Sequence, residues 1–173
     1  MKNNLFFLIL FLLLGCTSKT TVTVIKTPCP NVLFAAEHNK YITNNTQPAT
    51  IENISYIADI NNYSFNTGCS IINELFEAKL SLLFIVKPEK AEVSDITLPF
   101  YVAVLNASDE LVEMQYYQAN GNLKNESEGK NYIETELIKT IKLQIPSLND
   151  QNYSRNKVIV GFMIDKKKLK ILN

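Results

Sequence analysis

The sequence predicts an all-β protein: an antiparallel β-sandwich, immunoglobulin-like, preceded by an N-terminal signal helix. Three observations carry the prediction. From Ile54 onward apolar side chains recur at every second position, as in Leu80, Leu82, Phe84 and Val86, and period two puts one face of a strand on a core. Turn signals rich in Asn, Ser and Asp break the chain into roughly seven or eight segments of strand length. No strong amphipathic helix follows the first fifteen residues. A small closed or partly open β-barrel is the alternative, because barrels use the same alternation.

The chain begins with Met1-Lys2-Asn3-Asn4, a short basic head, and an uninterrupted apolar run over residues 5–14. A basic head, an apolar stretch of this length and a small residue at the cut define a secretory signal. A spanning helix needs roughly 20 apolar residues, so the run is too short to be one. Leu13-Leu14-Gly15-Cys16 then sets a cysteine directly after the small residue. This L-x-G-C arrangement resembles the lipobox of bacterial lipoproteins. The resemblance implies cleavage before Cys16, a diacylglyceryl group on its thiol and an acyl chain on the new amine. One acyl chain binds a membrane only reversibly, so two or three on Cys16 would hold the mature protein there. Thr17 rather than Asp follows Cys16, which points to the outer rather than the inner membrane. The expected location is the bacterial cell envelope, lipid-anchored and facing the periplasm. The expected organisation is a signal peptide over 1–15, a lipidated tether over 16–27 and a single sandwich domain over 28–173.

Lys plus Arg and Asp plus Glu both number 17, and losing Lys2 with the signal leaves 16 against 17. No basic field exists to attract nucleic acid. With Cys16 lipidated, Cys29 and Cys69 remain. They are an even pair in an exported chain, where a disulfide is the default. The alternative is two unpaired thiols in the core. His38 is the only histidine and no C-x-x-C occurs, so neither a metal nor another cofactor is expected.

Residues 17–27 read as an extended tether, with Val22, Val24 and Ile25 alternating weakly at a far end that docks as an edge strand. Pro28 and Pro30 flank Cys29 and restrict the chain on both sides of it. Residues 32–36 read as a strand, with a short helix as the alternative, and 44–50 as a loop. Asn61-Asn62 signals a turn between strands over 54–60 and 63–72. Residues 78–86 form a strand, and Leu83 and Ile85 predict burial on both sides at its far end. Residues 96–105 follow, where Pro99 marks a start, an edge or a bulge. A turn at 106–109 leads to the partner strand carrying Val112, Met114 and Tyr116, and Asn120-Gly121-Asn122 opens a polar loop. Residues 132–145 fit a strand bulged at Ile138-Lys139, or a helix over Ile133, Leu137, Ile138 and Ile141. Residues 158–164 make the last strand, and Asp165 caps a final helical turn.

Cys29-Pro30, Cys69, Pro99-Phe100-Tyr101-Val102-Ala103-Val104, Ile145-Pro146 and Gly161-Phe162 stand in that order along the chain. In that order they resemble small envelope lipoproteins of alphaproteobacteria whose function is unassigned, over nearly the whole mature chain. The resemblance implies an envelope lipoprotein with a disulfide-closed β-domain. It brings no activity to carry over.

A nucleophile needs a base within hydrogen-bond reach and a group that orients the base. His38 lies on a polar stretch and reads as a solvated surface residue. No G-x-S-x-G, Walker A, G-x-G-x-x-G, H-E-x-x-H or EF-hand pattern is present. Glu134 and Glu136 share a strand face, but Thr135 and Lys139 beside them make it a solvated one. Lys166-Lys167-Lys168 reads as solvated rather than as a site for lipid heads. Phe100, Tyr101, Tyr116 and Tyr117 group around one hairpin. Their main role is core and strand surface. Their functional role would be a partner surface with one of the two adjacent tyrosines exposed. The expectation is no enzyme but a membrane-anchored structural or protein-interaction module, its partner an unidentified envelope protein. The alternative is a sandwich that binds a small or lipidic ligand in an apolar cleft.

Overall fold

The computed structural model describes residues 22–44, 46–90, 94–126, 131–146 and 155–172. The signal segment, expected as a helix, and Cys16 lie outside the described residues. In chain order the strands are β1 (Val24–Thr27), β2 (Asn31–Phe34), β3 (Lys40–Asn44), β4 (Ile54–Ile72), β5 (Leu75–Pro88), β6 (Asp95–Leu105), β7 (Leu111–Asn122), β8 (Lys124–Asn125), β9 (Tyr132–Ile133), β10 (Thr135–Pro146) and β11 (Lys157–Phe162). A helix, α1 (Lys166–Leu172), closes the chain, and Asp165 caps it by accepting from the Lys168 amide at 2.8 Å.

One sheet has the order β1-β4-β5-β10, with β3 sharing the β1 edge of β4. The other has the order β2-β11-β6-β7, and β8-β9 is a separate hairpin. The pairings are antiparallel apart from β2 on β11. The fold is the expected all-β sandwich. Among the described residues no ladder joins the two sheets into a barrel.

Period two explains the core. Phe76, Ala78, Leu80, Leu82, Phe84 and Val86 of β5 face Ile96, Leu98, Phe100, Val102 and Val104 of β6 and Val158, Val160 and Phe162 of β11, all buried. Phe84 reaches across the layers to Phe100 at 5.4 Å and Phe162 at 5.7 Å between ring centroids, an edge-tilted geometry that suits aromatic quadrupoles. Tyr56, buried on β4, ties the sheets by hydrogen bonds as well. Its hydroxyl donates to the Thr97 carbonyl at 3.1 Å and accepts from the Thr97 amide at 3.0 Å.

The sequence misplaces one turn. Asn61-Asn62 is not a turn, because β4 runs unbroken from Ile54 to Ile72. Its ladder to β5 shifts between Ile60 and Asn62 and again between Phe65 and Cys69. The first adds one residue on β4 and so resets which side chains face inward, whereas the second adds two and leaves that parity unchanged. After the first one Tyr63 and Phe65 return to the core face. The turn falls at Asn73-Glu74, both with positive φ, 49° and 65°. That is the geometry of a two-residue hairpin.

β10 is a strand and not the rival helix, but the expected bulge at Ile138-Lys139 is absent. Its register on β5 is continuous from Thr135↔Val86 to Pro146↔Leu75. Ile138 therefore stays on the outer face, 66% exposed. Lys139 takes an inner position, half-buried at the sheet edge, where a long stem can carry the ammonium to water. Leu83 and Ile85 are half-buried rather than buried on both sides, since nothing covers their outer face fully. β7 continues through Gly121 to Asn122, the region read as loop holds β8, and the segment read from Tyr132 opens with β9 before β10 begins at Thr135. β2 ends at Phe34 and a 3-10 turn, Ala36–His38, follows. Pro99 sits inside β6, where its carbonyl accepts from the Met163 amide at 2.9 Å. Its missing donor thus falls just past the last β11 pair, Phe162↔Phe100.

The Cys29–Cys69 disulfide forms, with Cα atoms 5.2 Å apart. Cys29 lies where the chain crosses from β1 in one sheet to β2 in the other. Gly68, at φ 72° beside the second bulge, delivers Cys69 to it, and a residue with a Cβ resists that conformation. Closing a loop of this length constrains the unfolded chain by roughly 4 kcal/mol.

Tyr56→Phe keeps the ring but removes both hydrogen bonds to the Thr97 backbone, which lies part-buried at an exposed residue. A loss of about 1 kcal/mol is expected, read as a lower denaturation midpoint with an unchanged slope. An unchanged midpoint would show that water satisfies Thr97 instead.

Candidate functional site

The four-stranded sheet turns one face to the core and the other to solvent. Strand register places its outer residues in rows that cross the strands. One row runs Leu33, Ile159, Ala103, Met114. The next runs Gly161, Tyr101, Tyr116. Leu105 and Leu111 pair in a third row, beside Lys157. The first two rows contain no charge. Leu33, Met114, Leu111 and Tyr116 are exposed, Tyr116 by 63%. Lys157 and Asp109 pair at 2.7 Å at the rim.

Neighbouring tyrosines point opposite ways, as strand geometry requires. Tyr117 stacks on Phe100 at 5.5 Å and is half-buried, its hydroxyl donating to Gln115. Burial raises the Tyr117 pKa, and Glu113 adds to the rise. Tyr116 lies on the outer face with its hydroxyl 3.1 Å from the Met114 sulfur. One tyrosine of the pair points in and the other out, as the alternation of a strand requires of core and surface alike.

One end of this face becomes a cleft of about 390 Å3 lined by His38, Tyr101, Phe162, Met163, Ile164 and Asp165. Gly161 makes it possible. A Cβ there would meet the Tyr101 hydroxyl at 2.6 Å, its ring carbon at 2.7 Å and the His38 Cβ at 2.9 Å. The Tyr101 ring lies across the glycine, and His38 meets it edge-on at 5.9 Å between centroids. Burial raises the Tyr101 pKa, so the phenol stays a neutral donor. His38 is not the solvated residue expected. It is half-buried, and its Nδ1 donates to the Phe162 carbonyl at 3.0 Å. A protonated Nδ1 leaves Nε2 as the acceptor of the neutral ring.

Among the described residues no three of His, Cys, Asp and Glu converge to hold a metal. Glu134 lies between β9 and β10, 3.7 Å from Lys87, and Glu136 is exposed. Glu77 accepts from Lys142 at 2.9 Å and from Gln144, which lowers its pKa. Lys168 lies 4.8 Å over the Tyr41 ring. Of the residues singled out from sequence, Cys29 and Cys69 come together, whereas Tyr101 and Tyr116 are joined in one row by pairing. The sequence reading missed Leu33 and Gly161 as parts of the surface. A glycine inside a strand pattern is a signal of close approach, and that signal was available at Gly161.

No family model matches the chain, and no curated protein matches it. Among solved structures it is similar to the variable domain of the AgI/II polypeptide BspA of Streptococcus agalactiae, at 11% identity and a TM-score of 0.18 over 87% of this chain and 84% of that one. A likeness of that degree carries no functional weight. No helix among the described residues is long and apolar enough to cross a membrane.

Gly161→Ala is expected to cost about 1–3 kcal/mol by overpacking the Tyr101–His38 contact. Adding Tyr101→Ala removes the two closest clashes and leaves only the His38 Cβ contact, so the double variant should lose less than the sum of the singles. Strict additivity in thermal or urea unfolding would contradict the packing described.

Proposed function

We propose that the protein is a lipid-anchored module of the bacterial cell envelope that faces the periplasm and binds another envelope protein without catalysis. The observation that carries the reading is the pair of uncharged rows on the outer face of the four-stranded sheet, Leu33-Ile159-Ala103-Met114 and Gly161-Tyr101-Tyr116. The centres of protein interfaces lose charged residues and gain Tyr and Met, with a polar rim around them. Tyr116, large and exposed, is the natural anchor. Leu13-Leu14-Gly15-Cys16 supports the lipid attachment, and Thr17 supports the outer membrane as its destination. A ligand in an apolar cleft has less support. The cleft at His38 is open along the surface, and the cavity beside Ile138 is about 190 Å3 and open too. Small-molecule sites enclose most of their ligand.

The test places a photoreactive side chain at Tyr116 and, as a control, at Ile138 on the opposite sheet, in living cells. A single discrete protein adduct from position 116 and none from 138 is expected. Tyr116→Ala should weaken the isolated complex about tenfold or more, and Cys16→Ser should move the chain out of the membrane fraction. Equal adducts from both positions, or none from 116, would sink the assignment of this face.

A further inference from the structure

The start of β1, the β4–β5 turn and the end of β10 lie at one end of the sandwich. Register there runs Val24, Ile72, Leu75, Pro146 across four strands. The adjacent row, Ile71-Phe76-Ile145, faces the core, with Phe76 and Ile145 buried. The Val24 row therefore faces away from it. Val24 and Leu75 are exposed, and so is Val22, two residues ahead of Val24. Behind this apolar margin on the same outer face come Lys26, Ser70, Glu77 and Gln144, then Lys79 beside Lys142. Lys26, Lys79 and Lys142 outnumber Glu74 of the turn and Glu77.

From this geometry we infer that this end of the five-stranded sheet lies on the bilayer surface, with Val22, Val24 and Leu75 entering the interface and Lys26 and Lys79 meeting anionic lipid heads. The inference rests on the lipid attachment at Cys16. Cys16 and Val22 are six positions apart, so the chain between them spans at most about 22 Å. Leu75 and Val86 mark the two ends of the β5 ladder to β10, and eleven residues of strand cover roughly 36 Å. The anchor thus keeps the Val24 row within about 22 Å of the membrane and leaves the opposite end, with Ile133, tied to it by nothing in the tether. Apolar side chains close to a lipid surface lose water there, and each nearby lysine adds attraction to anionic heads. An extended apolar margin backed by lysines fits that boundary better than it fits open solvent.

The chain contains no tryptophan, which allows a direct test. Full-length lipidated protein carrying Leu75→Trp, or Ile133→Trp as the distal control, is reconstituted into vesicles of phosphatidylethanolamine and phosphatidylglycerol. Some of these lipids carry brominated acyl chains that quench indole fluorescence. The Leu75→Trp protein should be quenched several-fold more than the Ile133→Trp protein and shifted to the blue, and adding Val24→Asp should reduce the effect. Flotation of the same samples separates the two ways of failing. Protein that floats but is quenched equally at both positions overturns the interface and leaves the anchor standing. Protein that does not float overturns the anchor, and this inference with it.

Discussion

The covalent tie between Cys29 and Cys69 is the constraint on which the rest of the architecture depends. β1 and β2 are each four residues long and lie in different sheets. Ordering a residue costs roughly 1–2 kcal/mol of backbone entropy, and a short edge strand with exposed side chains recovers little of that. The bond fixes the crossing between them to β4, at Thr27↔Cys69. β2 is thereby held parallel against β11, and the last strand gains a partner on its second edge. β2 and the last strand are thereby secured side by side.

That link also joins the two surfaces the fold presents. β1 continues from the tether and belongs to the five-stranded sheet, whose lower margin is apolar. β2 carries Leu33 into the outer rows of the four-stranded sheet. On the proposed lipid attachment at Cys16, a load on the anchor would enter at β1 and pass to β4 through their ladder and the disulfide. The face bearing Tyr101 and Tyr116 rests on the tilted Phe84–Phe100 and Phe84–Phe162 contacts beneath it.

The sandwich was legible because its information is periodic. The inner faces of β5, β6 and β11 alternate cleanly, and with Cys16 assigned to the lipobox the other two cysteines had one way to pair. What was not legible depends on parity. At Asn61-Asn62 the local turn signal lost to a bulge, whose benefit, returning Tyr63 and Phe65 to the core, appears only once β5 is alongside. The true turn at Asn73-Glu74 lacks the glycine that usually announces it. At Ile138-Lys139 the reverse held. A bulge looked necessary from the side-chain pattern, but an edge strand can keep a half-buried lysine and an exposed isoleucine without one. Of the candidate surface, Tyr101 and Tyr116 were visible as an aromatic group, whereas Leu33 joined them only through a parallel pairing that no local pattern encodes. His38 was misjudged because its partner, the Phe162 carbonyl, is 124 residues away.

The central claim is that the disulfide, more than the β1 ladder, holds the β1–β2 segment to the rest of the domain. Native-state amide hydrogen exchange of β1 and β2, with the bond intact and after reduction under conditions where the domain stays folded, tests it most directly. The account predicts that with the bond intact the paired amides of these strands exchange only as slowly as global unfolding allows. After reduction they should exchange through local opening, many-fold faster than the core amides of β5 and β6. Equal protection of β1 and β2 in both states would contradict it, as would rapid exchange with the bond intact.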